Sequence, residues 1–219
     1  MLADLKTLVD VIRDAVSGFA GFRSKKARAQ AIIELLCIYF VLFDVVAEGR
    51  ALLDAVGNNP RTTIERTPEV NRAAILSEWH DVIRRQASRL YTLSGRLLGQ
   101  DALAVFDPQL KVRLEKIVSS KFKRVRTLDG VGAGLVMYSM FGDSKDQKWN
   151  REVILSMYPS KSRVTIDSKA AHRELRELSA ALEEFRSVCT KLATNDEIFA
   201  ISKKARRLTR YQESGGRGV

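Results

Sequence analysis

The sequence predicts an all-α fold: a helical bundle built on a long antiparallel helical hairpin, followed by a basic helical half. Three observations carry this. Only 4 prolines interrupt 219 residues, and two of those stand at helix-start signals. Apolar residues make up 45% of the chain and recur at helical spacing in every long segment. Leu, Ala, Arg, Lys and Glu, the residues that favour helices, dominate its composition.

The first element is an amphipathic helix over 2–18, with Leu5, Leu8, Val9, Ile12, Val16 and Phe19 on one face. Arg13 and three aspartates, Asp4, Asp10 and Asp14, break up its apolar content, so it lacks the hydrophobic run of a signal peptide. A turn through Gly21 and Ser24 leads into the most apolar stretch of the chain, AIIELLCIYFVLF, Ala31–Phe43. From Ser24 to Val56 only Gly49 disfavours a helix. The apolar part, 31–46, is shorter than the roughly 20 residues a membrane span requires, and it contains Glu34 and Asp44. Its polar residues Arg23, Gln30, Glu34, Asp44 and Glu48 share one narrow strip. A helix apolar nearly all round, with one wet edge, is expected at the centre of a bundle rather than across a bilayer.

Gly57 stops this helix, and residues 57–67 read as loop. Thr67-Pro68-Glu69 signals a new start, with Thr67 as the expected cap. The helix after it runs to Leu98, with Ala73, Leu76, Trp79, His80, Ile83, Ala87, Leu90, Tyr91, Ser94 and Leu97 on its expected inner face. Two helices of this length joined by a short loop should pair antiparallel. Residues 1–106 thus read as a neutral hairpin core. Residues 107–212 read as a basic helical region packed on it, the two together forming either separate domains or one, and 213–219 read as a disordered tail.

Charge is distributed unevenly along the chain. Residues 1–57 carry 7 basic and 7 acidic residues, and 58–107 carry 7 and 6. Residues 108–166 carry 12 basic against 5 acidic, and 167–219 carry 11 against 8. Nearly all of the net +11 therefore lies in the second half, which suggests an anionic partner there. Asp107-Pro108 opens a helix whose apolar side holds Leu110, Leu114, Ile117, Val118, Phe122 and Val125. Arg113, Lys116, Lys123 and Arg124 gather on the other side, with Arg126 close by. From Lys111 to Arg126 there are seven basic residues and one acid, Glu115. The final helix, expected to be capped by Asn195 or Asp196, repeats the design: Ile198, Ile201, Ala205 and Leu208 inward, Lys203, Arg206, Arg207 and Arg210 outward. Cations so short of local carboxylates repel one another until an anion arrives. Tyr211 is the aromatic beside a cluster that the sequence offers for base stacking. A third cluster, Arg23, Lys25, Lys26 and Arg28, opens the apolar helix.

Between the basic helices lie a glycine-containing segment, 128–142, an exposed loop, a short helix over 151–158 and an extended segment over 162–166. Gly130, Gly132 and Gly134 are not followed by Gly-Lys-Ser/Thr and miss the dinucleotide spacing, so the segment reads as a tightly packed helix or turn. Asp167-Ser168 starts a helix reaching Ala193. Its apolar residues Ala171, Leu175, Leu178, Leu182, Phe185, Cys189 and Leu192 step by four and three, a heptad seam. Leu175, Leu178, Leu182 and Phe185 are its candidate partner interface. A bundle partner within the chain is preferred to a dimer seam.

Catalysis and metal binding find no support. The two histidines, His80 and His172, stand apart in sequence and read as structural. Glu34, Asp44 and Glu48 share a strip but lack the histidines of a two-metal site. Two cysteines, Cys37 and Cys189, exclude a zinc finger and a disulfide framework, and fit a reducing, cytoplasmic setting. The expectation is a non-enzymatic module without metal or cofactor that binds nucleic acid or another polyanion through phosphates. The alternatives are an adaptor or assembly subunit, with a protein partner or homo-oligomer, and peripheral association with an anionic membrane. No transmembrane span is expected.

Overall fold

A computed structural model describes residues 2–17, 21, 24–57, 60–99, 106, 109, 110, 112 and 168–214. Among these the architecture is all helical: α1 Leu2–Ser17, α2 Lys25–Val56, α3 Pro60–Arg66, α4 Glu69–Gly99, α5 Ser168–Lys191 and α6 Asn195–Ser214. The long helix α2 forms the axis, with α4, α5 and α6 packed on it and α1 packed on α5.

Cross-helix contacts give the directions. Glu34 meets Arg96, the Val45 carbonyl accepts from Gln86 Nε2 at 3.2 Å, and Glu48 meets Arg85 and Arg89. As numbers rise along α2 they fall along α4, so the predicted hairpin is antiparallel. The contacts of Tyr39 with Glu183 and of Asp54 with His172 make α5 antiparallel to α2 as well. Arg28 with Glu197 and Cys37 with Ala205 run the other way, so α6 lies parallel to α2.

Local chemistry explains where α2 begins and ends. Ser24 Oγ accepts from the Ala27 N–H at 3.1 Å and caps the start. Gly57, at φ 66, supplies the left-handed residue that ends it, and its N–H donates to the Leu53 carbonyl at 3.0 Å. Gly49 leaves the helix unbroken: α2 passes through it where Gln86 and Leu175 approach. The expected loop over 57–67 contains a correction. Residues Pro60–Arg66 form α3, with proline at its first position, where a missing N–H costs nothing. Thr63 Oγ1 donates to the Val56 carbonyl at 2.8 Å, so α3 helps to close the end of α2. Thr67 does not cap α4 with its hydroxyl, which donates back to the Thr63 carbonyl at 2.9 Å.

One continuous core joins Leu5, Leu8, Val9 and Ile12 of α1 to Ile32, Leu35, Ile38, Leu42 and Val45 of α2, Leu93 and Leu97 of α4, and the inner faces of α5 and α6. Phe106 and Leu110 belong to it, so this core draws on both sides of the sequence boundary at 106. A smaller cluster of Val56, Ile64, Leu76 and Trp79 sits under α3.

The heptad seam is filled by the chain itself. Leu175, Leu178, Leu182 and Phe185 are at most 2% exposed, covered by α1 and α2. These four residues are core and offer no surface to a second molecule. Two members of the expected inner face of α4, Ala73 and Tyr91, are instead exposed, because the face that meets α2 is centred on Leu90, Leu93 and Leu97. Phe43 is likewise 44% exposed, so the central helix is not covered on every side.

Candidate nucleic-acid interface

The candidate face is on α6, whose first turn is closed by Glu197. The Thr194 N–H donates to Glu197 Oε2 at 3.2 Å, and the Thr194 carbonyl accepts from the Ile198 N–H at 3.0 Å. Thr194 therefore precedes the helix, and Asn195 and Asp196 are its first residues rather than its cap. Glu197 also receives Arg28 Nη2 on both oxygens, at 2.7 and 2.8 Å, tying the start of α6 to the start of α2. The Thr194 N–H, together with Arg28, holds the Glu197 carboxyl below its ordinary range.

The inner face follows helical spacing through Ile201, Ala205 and Thr209, all buried. Ala205 is small enough for Cys37 Sγ of α2 to lie 3.6 Å from its carbonyl. Arg206 is also used internally, contrary to its expected outward role. Its guanidinium forks onto Asp44 at 2.7 and 2.9 Å and stacks 5.2 Å from the Phe40 ring centre. Leu208 points the other way from expectation and is 38% exposed, since Thr209 fills the inward position at that turn.

The outward face carries Phe199, Ala200, Lys203, Lys204, Arg207 and Arg210, all exposed. Among the described residues, no carboxylate lies within ion-pair distance of Lys203, Lys204 or Arg207. Most other arginines of the bundle are engaged. Arg13 meets Glu184, Arg85 and Arg89 meet Glu48, Arg96 meets Glu34 at 2.8 Å, and Arg72 closes carbonyls of α3 and the following turn. Lys25 and Lys26 are exposed at the first turn of α2, near the start of α6 and about two helical turns from Lys203. The other predicted anion-binding residues, Arg113, Lys116, Lys123, Arg124 and Arg126, lie outside the described residues, as do Arg23 and the 128–142 segment.

The carboxylate strip of α2 is accounted for in the same way. Glu34, Asp44 and Glu48 each face an arginine from α4 or α6. Among the described residues no group of three or more His, Cys, Asp or Glu side chains converges as a metal site. Cys37 and Cys189 are free and buried. Burial pushes the Cys37 thiol up to about 11, with Arg96 opposing and Glu34 adding to the shift, and drives Cys189 further up.

No family model, no curated protein and no solved structure matches the chain. The site is therefore read from its own chemistry. Two functional candidates on this face, Lys204 and Phe199, escaped the sequence reading. Phe199 sits within the apolar run Ile198–Ile201 and reads as core by composition, yet it is 75% exposed. Its helical phase carries the missed signal, for it lies about 100° from Ile198 and 160° from Ile201.

Proposed function

We propose that this chain is a non-enzymatic helical module that binds nucleic acid through its phosphates, with little dependence on sequence. The observation that supports it is the sorting of cations on α6: Arg206 is spent on Asp44, while Lys203, Lys204 and Arg207 are exposed and, among the described residues, have no carboxylate within ion-pair distance. The helix dipole does not account for them. Its pull on cations fades within the last turn, and Lys203 stands about three turns before Ser214. Like charges at four-residue spacing, such as Lys203 and Arg207, cost ~0.2–0.5 kcal/mol per pair until a phosphate relieves them. The basic residues of the stretch Lys111–Arg126 lie outside the described residues and would supply phosphate contacts of their own. We read α2 as a core helix rather than a span. It is long and apolar enough to cross a membrane, but most of its most apolar 18-residue window is buried within the chain, and Glu34 and Asp44 are both paired with arginines. We place the protein in a reducing, cytoplasmic compartment on the strength of its two buried thiols.

The test is a salt titration of binding to a labelled nucleic acid. Lys203→Glu, Lys204→Glu and Arg207→Glu together should weaken binding severely. Three lost phosphate contacts should also flatten the log–log salt slope by about 2 to 3. A triple variant that folds and binds with the original slope would refute the assignment. Capture of an acidic protein, with no affinity for nucleic acid, would favour an adaptor role instead.

A further inference from the structure

We propose that Phe199 is a stacking platform for an unpaired base, and that the α6 face accordingly takes single-stranded nucleic acid in preference to duplex. The inference rests on the phosphate-binding reading of the same face and narrows its ligand.

The ring is 75% exposed at the second turn of α6, with Lys203 one turn after it and Asp196 one turn before it. Lys203 follows it by about 6 Å along the axis and 40° around it, and Arg207 by about 12 Å and 80°. Aromatic ring and cations thus form one track, on which a base can lie against the ring while its flanking phosphates meet Lys203 and Arg207. Base–aromatic stacking of this kind tolerates any sequence, because every base has a π-face. A duplex hides those faces in its stack, so Phe199 gains nothing from it without unstacking a step.

The same geometry disfavours lipid and protein partners. An interfacial helix inserts a broad apolar face. The apolar face of α6 is consumed inside the bundle by Ile201 and Ala205. Leu208, the other exposed large apolar side chain described on α6, lies about 180° around the helix from Phe199, so the two cannot form one greasy patch. A lone ring followed by cations that have no carboxylate partner among the described residues lacks the packed apolar centre of a protein interface.

The experiment compares a short labelled single strand, the same sequence as duplex, and inorganic polyphosphate as a base-free polyanion, by fluorescence anisotropy at fixed salt. Phe199→Ala should weaken single-strand binding about 5- to 150-fold, while duplex and polyphosphate binding change less than about twofold. Phe199→Trp should restore the affinity, and its emission should be quenched by the single strand but not by polyphosphate. Because the ring is exposed, Phe199→Ala should unfold at the wild-type urea midpoint, which separates lost binding from lost fold. Equal binding of single strand by wild type and Phe199→Ala, with loss in Lys203→Glu/Arg207→Glu, overturns the stacking claim and leaves the phosphate reading intact. Unchanged binding in Lys203→Glu/Arg207→Glu overturns both. Loss of pelleting with phosphatidylserine vesicles in Phe199→Ala, without change in strand binding, would assign the ring to lipid and also overturn it.

Discussion

Arg206 and Arg207 are neighbours in sequence, and the structure gives them opposite jobs. Arg206 makes a forked bond to Asp44 and stacks on Phe40, with its side chain 31% exposed and that of Asp44 13% exposed. A hydrogen-bonded charge contributes ~1.5–3 kcal/mol, and an accessible cation–π contact about 0.5–1 kcal/mol. Partial solvent access places the sum toward the lower end, so Arg206→Ala should cost about 2 kcal/mol. That corresponds to a melting point lower by roughly 4–8 °C for a chain of this size. Arg207 is exposed and lacks an ion-pair partner among the described residues, so Arg207→Ala should stay within ~0.5 kcal/mol of the parent. Urea unfolding followed by circular dichroism measures both. A cycle combining Asp44→Ala with Arg206→Ala should show the coupling directly. Nucleic-acid binding by the folded fraction should respond in the opposite order, falling for Arg207→Ala and holding for Arg206→Ala. An Arg206→Ala chain that keeps its stability but loses binding would refute the division of labour, as would zero coupling with Asp44.

Three other perturbations test different parts of the structure. Leu178→Asp places a charge at a position with no exposure inside the bundle, so it should abolish cooperative unfolding rather than dissociate an oligomer; light scattering together with circular dichroism distinguishes the two. Glu197 has a depressed folded pKa, so its ionised form contributes stability at pH above its ordinary value of 4.5, and that contribution is lost as pH falls through the lower folded value. Glu197→Gln keeps the reciprocal cap, so its urea midpoint should lie below the parent's at neutral pH and converge with it in acid; a gap unchanged at low pH argues against the charge effect. With Cys37 near 11, only about one thiol in a thousand is ionised at pH 8, so disulfide reagents should label it slowly, rising about tenfold per pH unit toward 10; a plateau near 8.5 would mean the thiol is not buried.

Periodicity made the helices legible, because a helix that buries one face must repeat its apolar residues at that spacing. The α1 stripe follows from this, while the Ser24 and Gly57 ends of α2 follow from cap chemistry and the direction of the hairpin from its short connection. Short-range polar contacts were less legible. Whether Pro60 begins a helix depends on Thr63 and Arg72 finding carbonyls to close it, which composition does not reveal. Cations were legible as clusters but not as pairs. Arg206 and Arg207 look alike in sequence, and only the meeting of α6 with Asp44 separates them. Phe199 was hidden by its apolar neighbours, although its helical phase sets it apart from Ile198 and Ile201.

The pairing of cations also has a chemical pattern. The clamps between helices use arginine: Arg28 on Glu197, Arg89 on Glu48, Arg96 on Glu34 and Arg206 on Asp44. A planar guanidinium offers a fixed fork that matches a carboxylate, so it sets the register of two packed helices. The outward cations of α6 instead begin with two lysines, Lys203 and Lys204. An ammonium is a point charge with rotatable donors, suited to a phosphate whose position along a strand is not fixed. Exchanging the two residue types therefore separates their roles. Arg206→Lys should lose much of the stability that Arg206→Ala loses, because lysine cannot bond both oxygens of Asp44 in that geometry. Lys203→Arg should keep both stability and binding, because a phosphate accepts either cation. If Arg206→Lys is silent in urea unfolding while Lys203→Arg impairs binding, position 206 needs only charge and position 203 needs shape, and the assignment of clamp and contact must be reversed.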